Sequence, residues 1–565
     1  MTDSRRALIA TALSLGVLWA WSTWFAPPPP QLPPPSTPQP AAAREPAAEP
    51  QPAPTPPPGD LSRPISPPTQ AGTEQILILE SRTARVKITN VGARILSWRL
   101  LEYPGAEGHP LEIVPQWRDR PRALPFELVV PGDEARTKRL NEVLYVCTDP
   151  ETVSNGKRIR CTWSDGRGEE IEKTLTLPVE GYVARIEYRA VGQQGPAPYL
   201  AWTPGLIRDE GSGSIGRMSR DVKVALARSG SVERVTADDA ADWHDADRPA
   251  SWGGVEGHYF AAVIAPLDGP ARFALYGRER EEGRAQEVGI AWNPDGDGAA
   301  HLFVGPKSYD LLGRIDQEYG LGLQSLIDYG FFEVIVLGLF WALKKVYGWT
   351  GSYGLAIIIL TGVIKLVFYP ITQRSMVSMR KLQKQMKRLQ PKIQHIKDRY
   401  TRKEKKIQNR TEMNQEVMAL YKKENVNPMG SITGCMPMLL QIPILYAFYT
   451  LLSYAIELRQ TPFLYLTDLS APEQSVLKTL PLLMGASMWL QQRMSGTVSP
   501  DPAQRWMLSA MPVFMTFLFW NFPSGLVLYW LVNNILSIGQ QYLINRQADA
   551  TDPSPARGRA AAKRA

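Results

Sequence analysis

Residues that usually carry catalytic or metal chemistry are scarce in this sequence. Its 565 residues include three cysteines and five histidines. Three cysteines exclude a disulfide-rich scaffold and any multi-cysteine metal centre. The histidines have no metal-ligand spacing, so we expect His244, His258 and His301 to be surface or packed residues. A sugar-binding site is the alternative for these three.

Acidic residues are missing from the apolar segments of the C-terminal half. Their length and composition predict membrane spans at residues 357–372, 435–456, 477–490, 506–522 and 525–544. A proton- or ion-coupled transporter ordinarily needs carboxylates inside its spans, so their absence argues against a transporter or channel. Two of the spans are short for a hydrocarbon core of about 30 Å, which predicts local thinning of the bilayer.

A sixth span is expected at the N-terminus. Residues 7–25 are apolar, follow two arginines and end in two tryptophans typical of a membrane interface. A cleaved signal peptide is the alternative. Because four prolines follow and no small-x-small cleavage site precedes them, we predict an uncleaved anchor.

Basic residues orient these spans. Residues 372–427 contain 16 Lys or Arg against five Asp or Glu, whereas the loop after residue 456 is net acidic. The positive-inside rule therefore places residues 372–427 and both termini in the cytoplasm. Heptad-like apolar stripes within 372–427 predict a helical hairpin. Its charge suits anionic lipid or ribosomal RNA, and a merely solvated face is the alternative.

Short alternating apolar and polar runs separated by turn residues fill residues 72–315. This pattern predicts one all-β sandwich on the external side of the membrane. Cys147 and Cys161 flank a predicted hairpin turn there, and either a cross-strand disulfide or two half-buried thiols fits the pattern. The apolar segment that follows is interrupted by charges, so we predict one amphipathic helix at the interface, with a crossing helix as the alternative.

The fold class predicted is a polytopic α-helical membrane protein with six transmembrane helices, five of them in a core, and a large extracytoplasmic β-sandwich domain. The predicted domains are an N-terminal transmembrane anchor at 1–26, a Pro-rich linker at 27–71, a periplasmic β-sandwich at 72–315, an amphipathic interfacial helix region at 316–350, a five-helix core at 351–545 that includes the basic hairpin at 372–427, and a basic cytoplasmic tail at 546–565.

A charge inside a span is the main functional signal. Lys365 lies within residues 357–372, and an ammonium at the centre of a lipid-facing helix costs about 2.5 to 3.5 kcal/mol on insertion scales. Snorkelling of the long side chain to the membrane surface is one explanation. The alternative is a hydrated cavity, because Thr361 and Tyr369 lie one helical turn on either side of Lys365.

Polar residues in other spans favour that cavity. Gln441 lies in the span at residues 435–456. The last span carries Tyr529, Asn533, Ser537 and Gln540 at near-helical spacing. We predict that these side chains meet Lys365 and leave its charge available to an acidic visitor. Flexible methionines suited to varied apolar surfaces flank the predicted groove, although ordinary packing is the more frequent role of such residues: Met436, Met438, Met484, Met488, Met511 and Met515.

Four motifs carry a resemblance to a known family. They are YPITQRSMVSMRKLQKQMKRLQPKIQ, NPMGSITGCMPMLLQIPILYAFY, LPLLMGASMW and FPSGLVLYWLVNN. With the order of one anchor, an external β domain and five further spans, the chain closely resembles the YidC family of bacterial membrane protein insertases. The similarity is specific over about the last 240 residues and weak in the external domain.

The resemblance implies a five-helix core around a hydrophilic groove open to the cytoplasm and to lipid. It implies insertion and folding of inner-membrane proteins, alone or with the Sec translocon, without enzymatic chemistry, nucleotide, metal or other cofactor. The basic hairpin resembles the loop that receives nascent chains, ribosomes or targeting factors, and no specific DNA binding is expected. Thr361 and Tyr529 match substrate-contact positions of the family.

This sequence departs from the family pattern at three places. The groove charge is usually arginine, so Lys365 keeps the charge but loses the forked guanidinium geometry. Trp530 stands where a second tyrosine is common. Residues 431–433 resemble an insertion near the cytoplasmic mouth of the groove.

Overall fold

The computed structural model of the chain describes residues 67–105, 108–116, 123–192, 195–203, 205–207, 222–228, 230–236, 244–245, 248–278, 287–400, 410–424, 431–495 and 502–551. The predicted anchor, most of the predicted linker and most of the predicted tail lie outside these residues.

Strands make up most of the described chain as far as residue 306. Apolar side chains alternate inward along them, as in ARVKIT, where Val86 and Ile88 are buried and Arg85 and Lys87 are partly exposed. The strands are β1 (Ile76–Glu80), β2 (Ala84–Thr89), β3 (Arg94–Pro104), β4 (Pro110–Glu112), β5 (Glu127–Val129), β6 (Val146–Cys147), β7 (Glu151–Val153), β8 (Gly156–Ser164), β9 (Glu170–Pro178), β10 (Val183–Val191), β11 (Tyr199–Trp202), β12 (Lys223–Arg228), β13 (Ser231–Val235), β14 (His244–Asp245), β15 (Trp252–Glu256), β16 (Phe260–Pro266), β17 (Arg272–Arg278), β18 (Glu287–Asn293) and β19 (Asp297–Pro306).

These strands form antiparallel sheets. In the described ranges, one sheet has the order β1-β2-β3-β4, a second β13-β12-β15-β16-β19-β10-β9-β8-β6 with β7 paired to β8, and a third β14-β17-β18-β11-β5. The second and third sheets pack face to face at Gly253, where a Cβ atom would lie 2.5 Å from Ile290 and 2.7 Å from Phe273. A β-sandwich is therefore present, as the sequence predicts.

The two cysteines of the sandwich are joined. Cys147 in β6 pairs in register with Cys161 in β8, and their sulfur atoms form a disulfide. Of the two alternatives left open by the sequence, the structure has the cross-strand disulfide.

One lysine is buried inside the sandwich, which the sequence pattern does not predict. The ammonium of Lys173 donates to the carbonyl oxygens of Gly92 at 2.7 Å and Phe126 at 2.6 Å. Burial holds the pKa of Lys173 well below its usual value. From inside the core, this lysine links the loops that contain Gly92 and Phe126 to strand β9.

Beyond residue 306 the described chain is mainly helical, and one short helix lies among the strands. The helices are α1 (Glu134–Glu142), α2 (Tyr309–Tyr319), α3 (Glu333–Thr350), α4 (Tyr353–Arg399), α5 (Arg410–Lys423), α6 (Ser431–Tyr454), α7 (Thr479–Ser495), α8 (Pro502–Leu518) and α9 (Ser524–Thr551).

One apolar core joins most of the C-terminal helices. It includes Phe340 of α3, Ile357 of α4, Phe448 of α6, Met484 of α7 and Val527 of α9, all at most 4% exposed. Residues of α8 pack against the same core from its edge.

The helix in the predicted interfacial region of residues 316–350 is shorter than the apolar pattern suggests. It begins only at Glu333, because a turn interrupts the apolar segment: Asp328 Oδ1 accepts the amide of Gly330 at 2.8 Å, and Gly330 has a φ of +68°. One side of α3 is buried and the other is exposed: Phe340 is 4% exposed, whereas Trp349 is 86% exposed.

Residues 379–433 belong to a compact unit separate from residues 65–378 and 434–565. Within that unit, Leu389 and Ile393 of α4 are buried against residues of α5. Lys392 forms an ion pair with Glu424, and Arg399 with Glu416. The order of these pairs makes the two helices antiparallel.

Only part of the predicted membrane topology can be compared with the helices. In the described ranges, the segment Tyr353–Ser378 is the one that is both long and apolar enough to cross a membrane, with a mean hydropathy of 2.1. The total of six crossings stays a prediction.

Candidate functional site

The predicted intramembrane charge contacts the last helix. Lys365 is half-buried, and its Nζ atom donates to Ser537 Oγ at 2.8 Å. Ser537 in turn donates to the carbonyl oxygen of Asn533 at 2.7 Å. Among the residues that the structure describes, Lys365 makes no ion pair. The ammonium group is therefore hydrogen-bonded, but no carboxylate among these residues neutralises its charge.

A second polar contact links α6 to α9. Gln441 Nε2 donates to the Tyr529 hydroxyl at 2.6 Å. Tyr529 is 1% exposed, and its ring stacks on Phe448 with centroids 4.2 Å apart. The sequence predicts that both side chains meet Lys365, whereas in this structure they contact each other and the tyrosine is packed.

Thr361 does not present its hydroxyl at an open surface. It is 1% exposed, and Oγ1 donates to the carbonyl oxygen of Ile357 in its own helix at 2.6 Å. A threonine in a helix satisfies itself in this way when no other acceptor is near. Tyr369, one turn beyond Lys365, is 37% exposed. Of the two polar residues on either side of Lys365, Tyr369 is therefore accessible and Thr361 is buried.

Two further polar contacts tie helices together. Asn534 Nδ2 donates to Ser487 Oγ at 3.0 Å, which joins α9 to α7. Gln540 Nε2 donates to Thr372 Oγ1 at 3.1 Å, which joins α9 to α4. The near-helical spacing of polar residues in the last span predicts a contact for Gln540 but not for Asn534. The polarity of two successive asparagines in an apolar span was the available signal.

The predicted methionine surface is only partly exposed. Met511 is 37% exposed, and Met488 and Met515 are partly buried against the helical core. Met484 is 0% exposed, so its assignment to an open apolar surface is wrong for this conformation, because neighbouring helices enclose it. The side chains of Met436 and Met438 lie outside the described part of the chain.

The β domain is hydrogen-bonded to the end of α6. His258 is 7% exposed, and its Nε2 atom donates to the carbonyl oxygen of Ser453 at 2.6 Å. The Tyr259 hydroxyl donates to the same oxygen at 3.2 Å. Nearby, Ser308 Oγ donates to Glu457 at 3.0 Å, and burial raises the pKa of Glu457. His258 is thus a packed residue with a structural role.

The other two histidines differ from His258. His301 in β19 packs its ring edge against Tyr319, with centroids 4.9 Å apart. The side chain of His244 lies outside the described residues. In the part of the chain that the structure describes, no group of three or more His, Cys, Asp or Glu is placed to hold a metal ion.

The fold and site define a membrane protein with a β-sandwich domain followed by a helical region whose polar side chains meet between helices. Residues 345–551 match the family model described as 60Kd inner membrane protein, and residues 78–342 match the YidC periplasmic domain. The chain belongs to the YidC family of membrane protein insertases, and is an inner-membrane protein with a periplasmic domain.

Individual relatives cover nearly the whole chain. The membrane protein insertase YidC of Syntrophobacter fumaroxidans is 34% identical over 96% of this chain and 100% of its own length. That of Syntrophus aciditrophicus is 32% identical over 84% of this chain and 86% of its own. A crystal structure described as an active YidC insertase with its first transmembrane domain resolved covers 85% of this chain at 17% identity, with a TM-score of 0.36.

Proposed function

We propose that this protein is an insertase and chaperone that inserts inner-membrane proteins and helps them fold, through a hydrated, positively charged groove within the bilayer. The observation that carries the proposal is the ammonium of Lys365, held by Ser537 at 2.8 Å without a carboxylate partner among the described residues. An uncompensated charge at membrane depth requires water or a visiting acidic group.

The first step is electrostatic capture. A short acidic or polar tail of a nascent membrane protein enters the groove from the cytoplasm and pairs with Lys365. Asn533, Gln441 and Tyr369 offer hydrogen-bonding groups along its path, together with Thr361 and Tyr529 once these two side chains turn from their packed positions.

The second step is transfer of the adjoining apolar segment into lipid. Met511, Met488 and Met515 form the apolar side of the path, with Met436 and Met438 as further members. The helices α7 and α8 each have 17 residues and span about 26 Å at 1.5 Å per residue, less than the hydrocarbon core. Thinned lipid shortens the distance that polar groups cross, and burial of the client helix supplies the driving free energy.

Partners follow from topology and charge. We place both termini and the hairpin of residues 372–427 in the cytoplasm, where its excess of basic residues suits a ribosome, a targeting factor or anionic lipid. The insertase acts alone or with the Sec translocon. Residues 351–545 form its core, and residues 72–315 its periplasmic domain.

Reconstitution tests the proposal. The purified full-length protein is placed in liposomes and given a single-span client with an acidic N-terminal tail, and protease protection of the tail is scored. Protection well above that in empty liposomes is expected. Protection no greater than in empty liposomes, with the client bound, would contradict insertion by this chain alone.

A further inference from the structure

A polar cavity of about 200 Å³ lies where the β domain meets the C-terminal end of α6. Its walls come from four strands or their ends, from the segment before α3 and from the last residue of α6. The charged or polar residues that line it are Lys223, Arg234, Glu256, His258, Lys307, Asp328 and Tyr454. None of these belongs to the groove around Lys365.

A buried carboxylate organises this cavity. Glu256 is 5% exposed, and it accepts Arg234 Nε at 2.6 Å and Lys307 Nζ at 2.9 Å. Burial acts to raise the pKa of Glu256, but the two cations outweigh it and the pKa is lowered. Glu256 is therefore ionised and fully occupied by two cations.

A third cation has no such partner. Lys223 in β12 is directly opposite Glu256 in β15, so both side chains leave the same face of the sheet, with Cβ atoms about 5 Å apart. Among the described residues, Lys223 makes no ion pair, although it lines the cavity. Asp328, the other lining carboxylate, is exposed and accepts the amide of Gly330. The interior of the cavity therefore has an excess of positive charge.

The position of the cavity indicates which anion is available. Tyr454 is the last residue of α6, and Ile327 and Asp328 precede the amphipathic helix α3. Given the membrane topology proposed above, this is the level at which spans end and lipid phosphates lie.

Arg234 already donates through Nε to Glu256 and through Nη2 to the carbonyl oxygens of Ser325 and Leu326. An oxyanion in the cavity meets the ammonium of Lys223 and the remaining Nη1 of Arg234, a combination suited to phosphate oxygens.

We propose that this cavity binds a phosphate group through Lys223 and Arg234, supplied by a phospholipid headgroup or by free phosphate. Bound there, a headgroup fixes the β domain and the end of α6 to the outer leaflet. The lipid is the source that the position favours, and the test separates the two.

Calorimetric titration of the full-length protein in a phosphate-free detergent tests this assignment. The probes are short-chain phosphatidylglycerol, diacylglycerol with the same chains, inorganic phosphate and a short acidic peptide. We expect phosphatidylglycerol to bind and diacylglycerol not to bind. Lys223→Gln should weaken binding tenfold or more, whereas Lys223→Arg should retain it.

Lys138→Gln is the matched control, because it removes the same charge from a 75% exposed side chain of α1 outside the cavity. Binding of phosphatidylglycerol alone identifies the lipid as the source, and equal binding of inorganic phosphate identifies free phosphate. The proposal is overturned if the unmodified protein binds neither phosphate probe, if the acidic peptide binds more tightly than both, or if Lys223→Gln and Lys138→Gln bind alike.

Discussion

The ammonium of Lys365 lies 2.8 Å from Ser537 Oγ, and Ser537 is itself hydrogen-bonded to the backbone of α9 at Asn533. The lysine therefore contacts a second helix through its ammonium group. We propose that an acidic client tail pairs with this positive charge between the two helices.

Two successive asparagines of α9 are expected to have different roles. Asn534 is 3% exposed and donates to Ser487 of α7, whereas Asn533 is partly exposed near Lys365. Asn534→Ala should lower the thermal stability of the purified protein, because loss of one buried hydrogen bond and its partner costs about 1 to 3 kcal/mol. Asn533→Ala should leave stability unchanged and reduce insertion of clients with polar tails.

Thermal melting in detergent and the liposome protection assay, applied to both variants, measure these effects. Equal stability losses in the two variants would show that both asparagines serve packing, and would remove Asn533 from the proposed groove.

The pH dependence of stability is expected to report on Glu256. Glu256→Gln should reduce the free energy of unfolding at neutral pH by on the order of 3 kcal/mol, because Arg234 and Lys307 lose their carboxylate. Since the pKa of Glu256 is lowered from 4.5 on folding, its contribution is present above pH 4.5 and is lost as the pH falls through the folded-state value.

The difference in melting temperature between the unmodified protein and Glu256→Gln should therefore shrink in acid. Asp328→Asn is a useful control, because its carboxylate is exposed and lines the same cavity. A difference that stays constant from neutral pH to well below pH 4.5 would contradict an ionised Glu256 in the folded protein.

Reduction of the disulfide should destabilise the sandwich. Cys147 and Cys161 are 14 residues apart, and closing a loop of that size contributes roughly 3 kcal/mol in the chain-entropy model. Buried tryptophans such as Trp98 and Trp252 report unfolding by fluorescence. Reductant should lower the denaturant midpoint of the unmodified protein and have no effect on a variant carrying both Cys147→Ala and Cys161→Ala. An equal midpoint before and after reduction would contradict a stabilising role.

Local patterns in the sequence predict much of this molecule and miss its long-range contacts. Alternation predicts the sandwich, and the polar positions of the last span include Ser537, which contacts Lys365, whereas Tyr529 contacts Gln441 instead. The bond from His258 to Ser453 joins residues 195 positions apart, and no periodicity encodes such a pairing.

Two differences from the predicted structure have local physical causes. The sequence predicts one helical region over residues 316–350, because its apolar density hides the turn made by Asp328 and Gly330. Met484 is buried, although the sequence predicts it at an apolar surface. A sequence shows which residues of a helix are apolar, but not which face of the helix is covered by neighbouring helices. The burial of Lys173 is not predicted for a related reason, since the carbonyl oxygens that accept its hydrogen bonds come from distant loops.

The most direct test changes Lys365 and compares the insertion of clients whose tails differ in charge. Lys365→Met and Lys365→Arg are reconstituted beside the unmodified protein, and insertion of a single-span client is measured with an acidic tail and with a neutral tail of equal length. We predict that Lys365→Met loses at least tenfold more activity toward the acidic tail than toward the neutral one, while Lys365→Arg retains both. Equal loss for the two clients, in a Lys365→Met protein that melts normally, would contradict electrostatic capture in the groove.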